Sequence, residues 1–149
     1  MSLQFSIEIS RPRRAVFRAL TDPDEVPRHL PLERVVSDGR IGGRFDLHGL
    51  ADGEPFVDHG RIVQLEADEL FAYRYWSTNH GTTRAPENEV LLTYRLRALD
   101  ANRTELLVVQ ENLPSREYAV VMGDAWPGLL QGLRNSLESD TRSHAAKGP

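Results

Sequence analysis

The chain contains no cysteine and a single lysine, Lys147, among its 149 residues. Without cysteine it can form no disulfide, thiol nucleophile or thiolate metal site, and nothing in it suits an oxidising compartment. Because Lys147 is the only lysine, no buried lysine is available for Schiff-base chemistry. These absences exclude thiol-dependent and aldolase-like enzymes.

Long hydrophobic runs and excess positive charge are also missing. No apolar stretch approaches the roughly 20 residues that a membrane span needs, and residues 1–5 lack the basic start and apolar run of a secretory signal. The formal net charge of −4 would repel a nucleic-acid backbone. We therefore expect a cytoplasmic protein with no membrane or nucleic-acid partner.

Cofactor, metal and nucleophile motifs are absent as well. Gly42-Gly43 precedes a predicted strand, so it does not predict a phosphate-binding loop at a helix start. No serine has the glycine context of a nucleophile elbow, and no two histidines have a metal-binding spacing. His48 and His59, beside Asp46 and Asp58, form at most a weak cluster expected on the outer face of the sheet. We predict no cofactor, metal ligand or catalytic residue.

The composition that is present, 40% hydrophobic and 27% charged, is typical of a globular protein. It predicts one domain over residues 1–140 and a flexible, polar C-terminal tail over 141–149. Apolar residues alternate from Leu3 to Ile9, which predicts a first strand. Ser10 is the expected cap of a helix ending near Leu20, and Asp22-Pro23 is expected to start a second short helix.

Alternating segments separated by turn residues follow up to Gln110. They predict strands near 43–49, 57–66, 70–77, 89–98 and 104–112. A final amphipathic segment, 115–139, predicts a long helix capped by Ser115, with a kink or break between Met122 and Trp126 caused by Pro127. The expected class is α+β: a curved antiparallel sheet of six or seven strands wrapped around the C-terminal helix, with two short helices between strands 1 and 2.

Several motifs occur in an order that is characteristic of one superfamily. They are Ala19-Leu20-Thr21-Asp22-Pro23, Arg40-x-Gly42-Gly43-x-Phe45, Gly60-x-Ile62, the Leu70–Trp76 strand and Trp126-x-x-x-Leu130-x-x-Leu133. The chain resembles the START-like or SRPBCC superfamily, which has the birch-pollen-allergen-like helix-grip fold. The branch it resembles is named for the C-terminal domain of the activator of the heat-shock-protein-90 ATPase. His29 and Gln110 stand where that branch usually carries tryptophan and often histidine. The resemblance therefore implies a fold and a cavity without naming a ligand.

Strand alternation, with the family's apolar positions as guide, predicts which side chains face this cavity. The predicted ligand-binding residues are Phe45, Leu47, Ile62, Arg74, Trp76, Tyr94, Gln110, Met122, Trp126 and Leu130. The alternative interpretation is that these are ordinary core residues, with Arg74 at the surface. Inward-facing, Arg74 would bind a carboxylate bidentately or stack on a ring. Phe71, Tyr73 and Tyr75 would then form an outer apolar stripe suited to a homodimer.

Three functional hypotheses remain open from the sequence. The first is binding of a small apolar or aromatic molecule in the cavity. The second, implied by superfamily relatives, is a cyclase, aromatase or hydratase in which Tyr94, Arg74 or His29 assists proton transfer. The third, implied by the branch's namesake, is an interaction module for a chaperone.

Overall fold

The computed structural model describes residues 1–140, and the tail predicted over 141–149 lies outside this range. Within it the chain forms seven strands, three α-helices and one short 3-10 turn. In chain order they are β1 (Ser2–Ile9), α1 (Arg13–Thr21), α2 (Val26–His29), β2 (Arg34–Ser37), β3 (Phe45–Ala51), β4 (Glu54–Glu66), β5 (Leu70–Ser77), the 3-10 turn (Pro86–Asn88), β6 (Val90–Asp100), β7 (Arg103–Glu111) and α3 (Arg116–Glu138).

The seven strands form one antiparallel sheet in the order β1-β7-β6-β5-β4-β3-β2. Helix α3 packs on β1 and on the sheet face that we call the inner face, while α1 and α2 fill the connection between β1 and β2. This is the α+β helix-grip arrangement, so the predicted fold class is confirmed. Strand β2 has no counterpart among the predicted strand ranges. Among residues 1–140, no helix combines the length and apolar character needed to cross a membrane.

The two short helices begin later than predicted. The backbone N–H of Ser10 donates to the Glu138 carboxylate at 2.7 Å, and α1 starts after Pro12, whose carbonyl accepts from the N–H of Ala15 at 3.0 Å. Asp22 accepts from the N–H of Asp24 at 2.8 Å and so closes a turn. Helix α2 starts near Pro27 instead, where the missing proline N–H would have been unpaired anyway.

Helix α3 confirms its predicted cap but not its predicted break. Ser115 Oγ accepts from the N–H of Tyr118 at 3.0 Å. The helix then continues through Pro127 to Glu138, so a break is excluded, and the kink given as its alternative stays a prediction. A proline inside a helix costs about 3 kcal/mol. The buried apolar side chains on both sides of Pro127, which offset this cost by packing on the sheet, are Trp126, Leu130, Leu133 and Leu137.

Candidate functional site

A cavity of about 660 Å³ lies between the inner face and α3. Its remaining walls come from the segment after α2 and from the loop after β5. The lining side chains include Leu30, Leu32, Leu47, Phe56, Asp58, Tyr73, Tyr75, His80, Leu92, Tyr94, Gln110, Tyr118, Val121, Met122, Ala125, Trp126 and Leu129. Most of these are apolar or aromatic, which is typical of a small-molecule pocket.

The predicted site residues divide into three groups by position. Those that line the cavity are Leu47, Tyr94, Gln110, Met122 and Trp126. Phe45, Ile62 and Leu130 are buried in the adjoining core and do not line it. Their placement fits the alternative interpretation that some inward positions are only packing.

The remaining two, Arg74 and Trp76, lie on the outer face, so their predicted orientation is wrong. Arg74 is exposed and pairs across the strands with Arg61. Trp76 stacks on His59 with ring centroids 6.3 Å apart, and its indole N–H donates to the carbonyl of Thr82 at 3.2 Å. An Arg74 clamp for a carboxylate inside the cavity is therefore excluded by geometry.

The alternate residues of β5 face inward instead. Phe71, Tyr73 and Tyr75 are buried in the core, and the ring of Tyr73 lies 4.8 Å from that of Phe45. Tyr73 sits opposite Ile62 on β4 and Leu92 on β6, so it shares their inner face. The predicted outer tyrosine stripe, and the dimer surface argued from it, are wrong.

A hydrogen-bonded relay of four side chains connects α3 to the cavity. The indole N–H of Trp126 donates to Gln110 Oε1 at 2.9 Å, which fixes the amide orientation because indole cannot accept. Gln110 Nε2 then donates to the Tyr75 hydroxyl at 2.6 Å. The hydroxyls of Tyr75 and Tyr118 lie 2.9 Å apart. Whichever tyrosine donates to the other, one hydroxyl proton is left over for a further acceptor.

The cavity tyrosines are neutral donors. Burial raises the pKa of Tyr73, Tyr75, Tyr94 and Tyr118 above the ordinary phenol value. The nearby carboxyl of Asp58 adds to the rise in pKa for Tyr118 and Tyr75. At neutral pH these residues can therefore donate hydrogen bonds but cannot act as bases.

Asp58 is a functional candidate that was predicted to lie on the outer face of the sheet. It lines the cavity from β4, between Leu47 on β3 and Ser77 on β5. Among residues 1–140 it forms no ion pair with an arginine or histidine. Burial raises its pKa to about 7, while Ser77 opposes part of the shift. Asp58 and Ile62 are four residues apart on one strand and therefore share a face. Because Ile62 was predicted to face inward, the same alternation places Asp58 on the inner face as well.

His80 completes the polar part of the cavity. Its Nδ1 accepts from the N–H of Ser77 at 3.3 Å, so the proton of the neutral ring is on Nε2. Nε2 is buried without a hydrogen-bond partner in the part of the chain that the structure describes. Burial lowers the pKa of His80 to about 4. We call Asp58, Tyr75, His80 and Tyr118 the polar end of the cavity.

The remaining sequence candidates lie elsewhere. His29 is buried between α2 and α3, where its Nδ1 is 2.7 Å from Ser136 Oγ, so it does not face the cavity as a proton-transfer group. His48 contacts Arg34 on the outer face. Since Asp58 points into the cavity, the weak cluster of His48, His59, Asp46 and Asp58 does not converge.

Comparison with known proteins gives a family and a set of similar structures. The family model described as "Activator of Hsp90 ATPase homolog 1-like protein" matches residues 10–138. No curated protein sequence matches the chain.

Three solved structures illustrate the range of similar proteins. The solution structure of ChR145 from Cytophaga hutchinsonii is 27% identical with a TM-score of 0.77, and the match covers 95% of this chain and 97% of that one. The Aha1 dimer from Colwellia psychrerythraea is 15% identical with a TM-score of 0.73, covering 93% and 97%. The di-domain ARO/CYC BexL from the BE-7585A biosynthetic pathway is 16% identical with a TM-score of 0.72, covering 93% of this chain and 46% of BexL. The last two similarities concern the fold alone.

Proposed function

This chain belongs to the family of Activator of Hsp90 ATPase homolog 1-like proteins, and we propose that it binds a small apolar or aromatic molecule in its cavity. The observation that carries this proposal is the relay, which delivers one unused hydroxyl proton to an otherwise mostly apolar cavity of about 660 Å³. Such a site suits an apolar body that carries one accepting oxygen.

Burial supplies most of the affinity in this proposal. Removing about 300 Å² of apolar ligand surface from water contributes roughly 7 kcal/mol before association costs. The hydroxyl proton of the Tyr75–Tyr118 pair adds orientation, since a neutral hydrogen bond contributes about 1 kcal/mol. The proposed ligand class is therefore a small ring system with one carbonyl or hydroxyl group.

Matched probes test this assignment. Naphthalene and 2-naphthol share an apolar body, but 2-naphthol carries one oxygen. We expect both to bind, with 2-naphthol about fivefold tighter. We expect the double variant Tyr75→Phe/Tyr118→Phe to abolish that preference, because it removes both hydroxyls that can donate the free proton. Titration followed by fluorescence and calorimetry measures both affinities. Native mass spectrometry of gently purified protein identifies any molecule that co-purifies.

A variant that fills the cavity tests whether the probes bind there. Met122→Trp places a large ring in the cavity and is expected to weaken both probes at least tenfold. Val120→Trp is the matched control, because Val120 lies on the same helix, is exposed and does not line the cavity. Equal affinities in the two variants would mean that the probes bind elsewhere and would overturn the proposal.

Acid–base catalysis in the same cavity is a second candidate, favoured by Asp58. A carboxyl whose pKa is raised to about 7 can accept or release a proton near neutral pH, and the Tyr118 hydroxyl can donate to a developing oxyanion. The probe is 2-tetralone, a bicyclic ketone with exchangeable C–H bonds next to its carbonyl. Deuterium incorporation from heavy water should be accelerated by the protein and lost in Asp58→Asn. If Asp58→Asn exchanges as fast as the unmodified protein while 2-naphthol still binds, the enzyme hypothesis fails and the binding proposal stands.

Protein partners form a third proposal, which rests on the family description and on the Aha1 dimer among similar structures. A chaperone partner would use the outer surface, so Met122→Trp should leave any stimulation of Hsp90 ATPase activity unchanged. A homodimer would be detected by light scattering of the full chain across a concentration series. A monomer at all concentrations and no effect on the ATPase would remove both partners.

A further inference from the structure

One imidazole and two carboxylates meet where α2 packs against the end of α3. The ligand atoms of Glu25, His29 and Asp140 all lie within 4.8 Å of one another. We propose that these three residues, here called the α2–α3 cluster, bind one divalent transition-metal ion. This proposal is independent of the ligand proposed for the cavity.

The proposal rests mainly on His29, because its side chain is buried and its Nε2 points into the cluster. Its side chain is only 2% exposed, and Nε2 lies 3.6 Å from Glu25 Oε1. That distance is too long for a hydrogen bond, and Nε2 has no hydrogen-bond partner within residues 1–140. A buried nitrogen without a partner is costly unless something binds it.

The contacts on the other side of the ring determine which nitrogen carries the proton. Nδ1 of His29 is 2.7 Å from Ser136 Oγ, and that hydroxyl is 3.3 Å from the carbonyl of Arg28. A carbonyl can only accept, so the Ser136 proton goes to Arg28 and the Ser136 oxygen accepts the proton of Nδ1. The neutral ring therefore presents the lone pair of Nε2 to the carboxylates. Metal-bound histidines typically have this arrangement, with the second nitrogen donating to a fixed partner.

The electrostatics of the cluster favour a cation. A nitrogen lone pair and two carboxylates are all acceptors, so a cation placed among them is attracted by all three. A proton on Nε2 would bridge to one carboxylate, whereas a metal ion can bind all three atoms. Mixed imidazole and carboxylate ligands suit Zn²⁺ and its first-row neighbours, and three protein ligands leave at least one position for water.

One neighbour weakens the site. Arg28 Nη1 lies 3.4 Å from Glu25 Oε2, so a guanidinium already neutralises part of one ligand. The expected affinity for Zn²⁺ is therefore micromolar and not nanomolar. Removing this competing charge with Arg28→Gln should tighten binding, and the Arg28 carbonyl that orients Ser136 is retained in that variant.

The position of the α2–α3 cluster gives the metal a structural consequence. Asp140 follows the end of α3, and Leu30, which lines the cavity, directly follows His29. A bound ion would tie α2 to α3 and hold this part of the cavity wall in place. No sequence pattern predicts this site, because Asp140 is distant in the chain and Glu25-x-x-x-His29 is an acid–histidine pair, not a histidine pair.

Zinc titration of the full chain tests the proposal. Calorimetry and equilibrium dialysis against Zn²⁺ at pH 7 should give one ion per chain with a micromolar dissociation constant. His29→Gln and Glu25→Gln should each weaken binding at least tenfold, and Arg28→Gln should tighten it by about threefold. Loading with Co²⁺ should produce visible absorption bands that His29→Gln removes. The matched controls are His59→Gln on the outer face and His144→Gln in the tail sequence, and both should bind as the unmodified chain does.

The decisive comparison is between Glu25→Gln and the unmodified chain, because His29→Gln removes a buried side chain and can unfold the protein. Glu25→Gln changes a partly exposed carboxylate to its near-isostere, so it tests the site even if His29→Gln does not fold. Absence of stoichiometric binding, or equal affinity in Glu25→Gln and the unmodified chain, overturns the proposal. Loss of binding in His144→Gln alone would also overturn it, since it would assign the ion to the tail sequence.

Discussion

Two titratable residues at the polar end respond to burial in opposite directions. Burial raises the pKa of Asp58 to about 7 and lowers that of His80 to about 4, because in each case the charged form is disfavoured. Near neutral pH, His80 is therefore uncharged and Asp58 is half protonated. Near neutral pH the charge of the cavity therefore changes through ionisation of Asp58 and not of His80.

Asp58 should make stability depend on pH. Its folded pKa of about 7 exceeds the ordinary value of 3.8, so the folded state binds the proton more tightly and stability is lost as pH rises between these values. At about 1.4 kcal/mol per pKa unit, the loss is roughly 4 kcal/mol. His80 has the opposite effect: its contribution rises between pH 4 and 6.5 as the unfolded imidazole loses its proton.

We predict that Asp58→Asn removes the first of these effects. The variant should match the unmodified protein at about pH 3, below the ordinary pKa of 3.8, and become increasingly more stable than it up to about pH 7, as measured by urea unfolding. Asp52→Asn, in the exposed turn between β3 and β4, should follow the unmodified profile. Parallel profiles for Asp58→Asn and the unmodified protein would contradict the assignment of a buried, protonated carboxyl.

Gln110 is the residue on which the relay depends. Gln110→Leu leaves the buried indole N–H of Trp126 without an acceptor, which should lower the free energy of unfolding by about 1–3 kcal/mol. Chemical denaturation measures the change. Gln64→Leu, at an exposed position on β4, should change stability by no more than about 0.5 kcal/mol. Similar losses in the two variants would show that the relay contributes nothing.

At the scale of elements, the strand β5 shows what a sequence can and cannot predict. The bounds of β5 were predicted correctly, since Leu70–Ser77 is one continuous strand between turns. The face of β5 that points inward was predicted wrongly, because Phe71, Tyr73 and Tyr75 lie on one face and Leu70 and Trp76 on the other. Both faces carry large apolar side chains, and alternation alone does not choose between them. The choice is made by neighbours: Ile62 and Leu92 lie opposite Tyr73, and Arg61 lies opposite Arg74.

Strands β3 and β4 approach each other closely at Gly60. A Cβ at this position would collide with the carbonyl oxygen of Phe45, and the Gly60 N–H donates to Asp46 at 3.1 Å. Gly60→Ala should therefore destabilise the protein by at least about 2 kcal/mol in chemical denaturation. Gly128→Ala, inside α3 with open space around the position, should instead stabilise it by about 0.5–1 kcal/mol. If Gly60→Ala were more stable than Gly128→Ala, the close approach of β3 and β4 at Gly60 would be excluded.

At the scale of the whole molecule, binding in the cavity should stabilise the fold. A ligand at 100 times its dissociation constant adds about 2.7 kcal/mol, which corresponds to a rise in Tm of about 5–10 °C for a chain of this size. Differential scanning fluorimetry with 2-naphthol measures this shift. It should be absent in Met122→Trp and retained in Val120→Trp. A shift that Met122→Trp retains would place the probe outside the cavity.

The whole fold was more predictable than the chemistry of its interior. Regular alternation, paired glycines and a long amphipathic segment specify the sheet and α3. Burial of one face of a strand or helix produces the same periodic placement of apolar residues in any protein, so this pattern can be recognised in the sequence. The polar end depends on single residues from β4, β5, the loop after β5 and α3, brought together only by register. For the same reason the pairing of Gln110 with Trp126 and Tyr75 could not be read from any local pattern.

Trp126 also gives the protein an internal optical reporter. Its indole is buried, and the relay joins it through Gln110 and Tyr75 to the hydroxyl proposed to meet the ligand. The other tryptophan, Trp76, lies on the outer face of the sheet and can be replaced by phenylalanine, which leaves a single emitter. Any molecule that accepts the free hydroxyl proton of the Tyr75–Tyr118 pair changes the electric field around that emitter. The wavelength of its emission should therefore follow occupancy of the cavity without any added label.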